Sequence, residues 1–216
     1  MQDSMPSQVR EPICINVDKV FDWIVKEASF EFSKTGTIRF PGLPAHTDLT
    51  HAVVTCHVVP RAIHPVKILN RENRQFTIDG ATVCLQNLTI QKNFTLTLVV
   101  TLPGGTKFTS DPITVSRCEQ VTLCAPKGTD VEILFTDLDC FVCSMGNPTS
   151  GNTANEITFT DLNVTISVCQ SIQSTFPVTV EFLATFCEPR AELPFACPGV
   201  VRPEQCPAVF PPHFGY

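Results

Sequence analysis

Along most of the chain, hydrophobic residues alternate with Thr, Ser, Asn and Glu, the two-residue period of a strand with one buried face. Leu96, Leu98, Val100 and Leu102 oppose Thr95, Thr97 and Thr101. Val178, Val180, Phe182, Ala184 and Phe186 hold one face, with Thr179, Glu181 and Thr185 on the other. Residues 157–159 and 162–168 alternate around Thr158, Asn163, Thr165 and Ser167, and Val131, Ile133 and Phe135 form another half-buried run. Shorter runs lie at 30–32, 37–40, 52–59, 66–69, 75–78, 81–85, 113–116 and 121–123. The frequent Val and Thr suit pleated, half-buried positions. The best helical spacing is Val17, Val20, Phe21, Ile24 and Val25, but its β-branched content leaves strand and short helix equally open over 17–28.

Turn residues fall between these runs. Asp79-Gly80 separates 75–78 from 81–85 and predicts a tight hairpin. Pro103-Gly104-Gly105 closes the run ending at Leu102, the residues from Lys127 to Asp130 precede Val131, and 145–155 reads as a Gly/Asn/Ser/Thr loop. Many short strands at this spacing predict an all-β chain, an antiparallel β-sandwich of jelly-roll-like character, rather than a βαβ fold. The expected organisation is an N-terminal arm over 1–14, a β-rich core over 15–187 with a candidate break near 103–112 or 145–155, and a Pro/Cys-rich arm over 188–216. Repeated proline in that last segment (Pro194, Pro198, Pro203, Pro207, Pro211 and Pro212) enforces extended backbone.

Composition narrows the function. Charged residues are 17% of the 216, against roughly 25% in an average globular chain, and the net charge is −6. Nothing here would neutralise a row of phosphates, so a nucleic-acid partner is not expected. No apolar run reaches the roughly 18 residues of a spanning helix, so membrane insertion is not expected either. The polar first dozen residues carry no signal-peptide core, which predicts synthesis in a cytoplasm.

The 11 cysteines pull the other way, toward an oxidising place, and their odd number leaves at least one without an intramolecular partner. Synthesis inside a cell followed by oxidation after release or lysis satisfies both signals. Cys14, Cys197 and Cys206 lie in the arms, which reach neighbouring subunits more readily than strands do, and are the candidates for inter-subunit disulfides. Cys56, Cys84, Cys118, Cys124, Cys140, Cys143, Cys169 and Cys187 divide between internal bridges and buried thiols. Cys140 and Cys143 form a CxxC, but on a strand they point to opposite faces, and the βαβ setting of a redox site is missing. With Cys118 and Cys124 they give C-x5-C-x15-C-x2-C, irregular for a zinc ribbon. His51 and His57 near Cys56 make a weak ligand set, and Asp137 with Asp139 lacks the rest of a calcium loop. The sequons at Asn87, Asn93 and Asn163 are ordinary in a Thr-rich β chain. No GxSxG, HExxH, GxGxxG or phosphate-cradling loop occurs, so no enzyme, cofactor or metal is expected.

Three stretches carry a resemblance: Ile13-Cys14-Ile15 running on to Val17, Val20 and Trp23; Val168-Cys169-Gln170 with Ile172; and Phe186-Cys187 with Arg190 and the Cys-Pro tail. They are similar to cysteine-containing spore-surface proteins of endospore-forming Firmicutes, found in coats, exosporia and appendages. Appendage subunits of that group are jelly-roll protomers whose N-terminal connector carries cysteines that bond to neighbours in a fibre. The resemblance implies a connector role for Cys14 and a place on the spore surface after synthesis in the mother cell. This chain has one cysteine at that connector rather than a pair, and its C-terminal tail is additional.

The expected function is a structural subunit that self-assembles into a disulfide-stabilised fibre or lattice, its partners being further copies and other spore-surface proteins. The alternatives are an adaptor that anchors other coat or appendage subunits without polymerising, and a cysteine-based metal-binding protein.

Overall fold

A computed structural model of the chain describes residues 11–78 and 80–184. Cys187 at the end of the expected core, the C-terminal arm with Cys197 and Cys206, and the first ten residues of the N-terminal arm lie outside the described residues. Every regular element described is a strand: β1 (Glu11–Arg39), β2 (Val53–Pro60), β3 (Val66–Ile78), β4 (Ala81–Thr101), β5 (Lys107–Thr109), β6 (Ile113–Leu123), β7 (Asp130–Ser144) and β8 (Glu156–Ala184). The expected all-β antiparallel sandwich is present, and residues 17–28, open between strand and helix, are strand. The described backbone groups into Asn16–Val180 and a second unit holding residues 11–15 and 181–184. The sandwich belongs to the first. In the second, Cys14 is exposed, its Sγ 4.0 Å from a Glu181 carboxylate oxygen.

One sheet runs β1-β8-β7 and the other is built on β4. β4 is long because it serves two partners on each edge. β2 pairs with its C-terminal half and β3 with its N-terminal half, so those two lie end to end, while β5 and β6 share the opposite edge in the same way. Ile78 faces Ala81 across a two-residue turn with Gly80 at φ +81°, the expected hairpin. In the other sheet, side-chain bonds from Asn16 to Thr179, Trp23 to Ser171 and Thr37 to Thr158 show β1 and β8 running antiparallel.

The alternation sets the core. Leu96, Leu98 and Val100 of β4 face Leu162, Val164, Ile166 and Val168 of β8, and Phe94 packs between Phe30 and Phe135 at centroid distances of 5.8 and 5.5 Å. The phase of β8 changes once, since Ile157 and Phe159 are buried and so is Leu162, three residues later. The extra residue is absorbed at Thr160-Asp161. There Gly146 is required, because a Cβ would strike Thr160 Oγ1 and lie 2.8 Å from the Asp161 nitrogen. A smaller cluster, Leu88, Ile90, Val121, Leu123, Ala125 and Ile172, fills the far end. The two clusters are separated by polar residues at core parity: Lys92 on β4, Glu119 on β6 and Gln170 on β8.

Candidate functional site

The cysteines occupy contrasting environments. Cys56 follows Val54 on the inward face of β2, and Cys140 sits between Leu138 and Val142 on the inward face of β7. Their Cα atoms are 6.0 Å apart and they form a disulfide that joins the two sheets. Cys143 turns outward, its Sγ 3.0 Å from Thr165 Oγ1. Cys118 is exposed on β6 opposite Gln91, and Cys84 is exposed on the β3–β4 hairpin opposite Gln75. Cys84, Cys118 and Cys143 therefore lie exposed and unbridged rather than as internal bridge partners or buried thiols. Strand parity turns Cys118 and Cys143 away from the core. Cys84 points along the core parity, but at a stretch of hairpin without the neighbours that would cover it.

Cys124 and Cys169 are half-buried free thiols. Cys124 lies just past β6, where its N–H donates to Asp22 Oδ2 at 2.8 Å and its carbonyl accepts from Ser174 Oγ at 2.6 Å. Cys118, Cys124, Cys140 and Cys143 do not converge, and among the described residues no group of three His, Cys, Asp or Glu side chains could hold a metal. His57 is exposed on β2, on the face opposite Cys56. Asn87 and Asn93 of the sequons are buried, and Asn163 donates to Asp161.

The polar layer sits where β1 meets β6. Lys92 Nζ is ion-paired with Glu119, which also accepts from Gln170 Nε2 at 3.0 Å and lies 3.5 Å from Lys26 Nζ. Burial pushes the Glu119 carboxyl up, but the hydrogen bond and charge of Lys92, then Gln170 and Lys26, outweigh it and hold the group below the usual glutamate value. Burial holds the Lys92 ammonium below the ordinary lysine value, against the pull of Glu119. Gln170 Oε1 is buried without a partner. A cleft of about 250 Å³ opens beside this layer, lined by Ala28, Phe30, Lys92, Arg117 and Glu119.

The outer face of β1 is the least expected region. Phe21, Trp23 and Val25 stand exposed there, and the Trp23 indole N–H donates to Ser171 Oγ at 2.6 Å. In the sequence Trp23 stands out only within a resembling stretch, and Lys92, Glu119 and Gln170 do not stand out as a group. A signal for the latter existed: Lys92 and Gln170 are each polar at a position whose neighbours two residues away are core residues, and Glu119 shares the parity of the buried Val115 and Val121.

Together these features define a class, an antiparallel β-sandwich clasped by one inter-sheet disulfide and carrying further thiols on its surface. No protein-family model, curated protein or solved structure matches the chain.

Proposed function

We propose that this chain is a structural subunit that self-assembles into a disulfide-stabilised fibre or lattice at a bacterial spore surface. The observation that carries the reading is a set of exposed free thiols, Cys84, Cys118 and Cys143 on a sandwich that already uses a disulfide internally, and Cys14 outside it. The Cys56–Cys140 bridge is compatible with a setting that supplies an external oxidant, and there exposed cysteines can bond to those of neighbours. Linking subunits covalently removes most of the entropy that dissociation would release, so the assembly resists heat and denaturant. The resemblance of the segments around Cys14, Cys169 and Cys187 to spore-surface proteins supports the location.

The test is electron microscopy of the purified protein with and without reductant, beside a non-reducing gel. Fibres or sheets that survive boiling in detergent and fall apart in reductant are expected, with single Cys14, Cys197 and Cys206 to Ser variants shortening them. A small uniform particle indifferent to reductant overturns the reading and favours the adaptor.

A further inference from the structure

On β1, residues 22, 24, 26 and 28 are half-buried while 21, 23, 25 and 27 are exposed, so Lys19, Phe21, Trp23, Val25 and Glu27 share the outer face of the β1-β8-β7 sheet. Trp23 is 62% exposed and Val25 69%. The indole N–H, the one polar group of the Trp23 ring, is already satisfied by Ser171 Oγ. What remains in water is an apolar surface fixed in orientation, the kind of side chain that dominates protein interfaces. Lys19 Nζ stands 4.9 Å from the Phe21 ring centroid, which places its charge at one end of the stripe. Glu27 ends it at the other.

The order cation, Phe, Trp, Val, anion is its own complement when reversed. Two copies laid antiparallel about a twofold axis through Trp23 set Lys19 over Glu27, Phe21 over Val25 and Trp23 over Trp23, with each charge pair occurring twice. Strand addition along the free edge of β1 is obstructed at this point. The Asp22 carboxylate accepts from the Trp23 backbone N–H at 2.8 Å and, with its other oxygen, from the Cys124 N–H, so the edge is capped by an inward-turned charge. Contact therefore falls on the face rather than the edge.

We propose that this stripe is a self-association surface, on which a second copy of the chain docks face to face about a twofold axis through Trp23. The proposal rests on the assembly reading and names its non-covalent contact.

Trp23 is the only tryptophan in the chain, so its emission reports this surface alone. Sedimentation of the full chain would be followed over a range of concentrations after capping free thiols with iodoacetamide, which leaves Cys56–Cys140 in place. Mass is expected to double with concentration while the emission shifts to the blue. Lys19→Glu and Glu27→Lys, both at exposed positions, are each expected to weaken association by about tenfold or more, because each sets like charges opposite one another twice. The double swap K19E/E27K is expected to restore it. Association indifferent to the single swaps, a double variant no better than either, or a blue emission independent of concentration would each overturn the proposal, the last by showing that the chain covers its own stripe. Fibres indifferent to the swaps sink this contact and leave the assembly reading standing. A dimer that never grows further with its thiols left uncapped does the reverse.

Discussion

The two long sides of the sandwich are closed by different chemistry. Where β2 meets β7, two inward cysteines bring the sheets together through one covalent bond, Cys56–Cys140, packed against the main core. Where β1 meets β6, the sheets are held by charge. Glu119 of β6 gathers Lys92 from β4, Gln170 from β8 and Lys26 from β1, while Asp22 of β1 takes the N–H of Cys124. The second side is also the one with a cleft beside it. Closing a side covalently makes stability depend on redox state and very little on salt or pH. Closing it with a half-buried carboxylate between two lysines makes it depend on pH, and makes the buried members costly to remove alone. One fold thus answers to two solution variables through two separate sides.

Opening the covalent side is expected to have the largest effect. Cys56 and Cys140 are 84 residues apart, so the bridge removes a long loop from the unfolded chain. Chain-entropy arguments put that at about 4.5 kcal/mol for a loop of this length. A Cys56→Ala/Cys140→Ala variant should lose about that much in urea unfolding, and wild type in reductant should fall to the same midpoint. If reductant leaves the midpoint unmoved, the clasp does not stabilise the sandwich.

The charged side should respond next. Glu119→Gln keeps the shape but strands Lys92, whose side chain is 4% exposed, beside a neutral partner. A cost of about 3 kcal/mol follows from leaving a buried charge unpaired. The pH dependence has a fixed sign. The Glu119 carboxyl is held below its ordinary value in the folded chain, so the unfolded chain binds more protons between the two values. Its contribution is therefore present above the ordinary glutamate value and is lost as pH falls through the folded one. Lys92 is also depressed, so the folded chain gains stability as pH rises toward the ordinary lysine range. Glu119→Gln should erase the acid-side loss and move the alkaline gain to lower pH, read as urea midpoints across the pH range. An acid limb identical to wild type would show that Glu119 does not set it.

The sequence made the hydrophobic sandwich legible and left its closures hidden. Leu96, Leu98 and Val100, the run from Leu162 to Val168, and the Asp79-Gly80 turn all act locally, and local period and turn chemistry are what a sequence displays. The local period divides β1 and β8 into several short runs, yet each is one strand of 29 residues. Gln170 and Ser174 break the apolar period of β8 while keeping its parity, because their partners Glu119 and the Cys124 carbonyl come from distant segments. The Cys56–Cys140 pairing was hidden for the same reason, since spacing cannot say which inward cysteines meet across two sheets. The exposure of Trp23 was hidden because its strand has a core partner on one face only.

The smallest expected effect sharpens the comparison within the charged side itself. Lys26 and Lys92 both reach Glu119, but the Lys26 side chain is 38% exposed and 3.5 Å away. Water already solvates its ammonium, so the pair gains little from being made, and salt screens what is gained. Lys26→Met should therefore cost no more than about 0.5 kcal/mol at low ionic strength, fading in high salt, because Glu119 keeps Lys92 and Gln170. Its apolar side chain would still cover the β1–β6 seam, as the Lys26 stem does. Urea unfolding at low and high salt separates the alternatives. A loss as large as that of Glu119→Gln, unchanged by salt, would mean that the exposed lysine rather than the buried one balances the carboxylate. The two sides would then differ less than their burial implies.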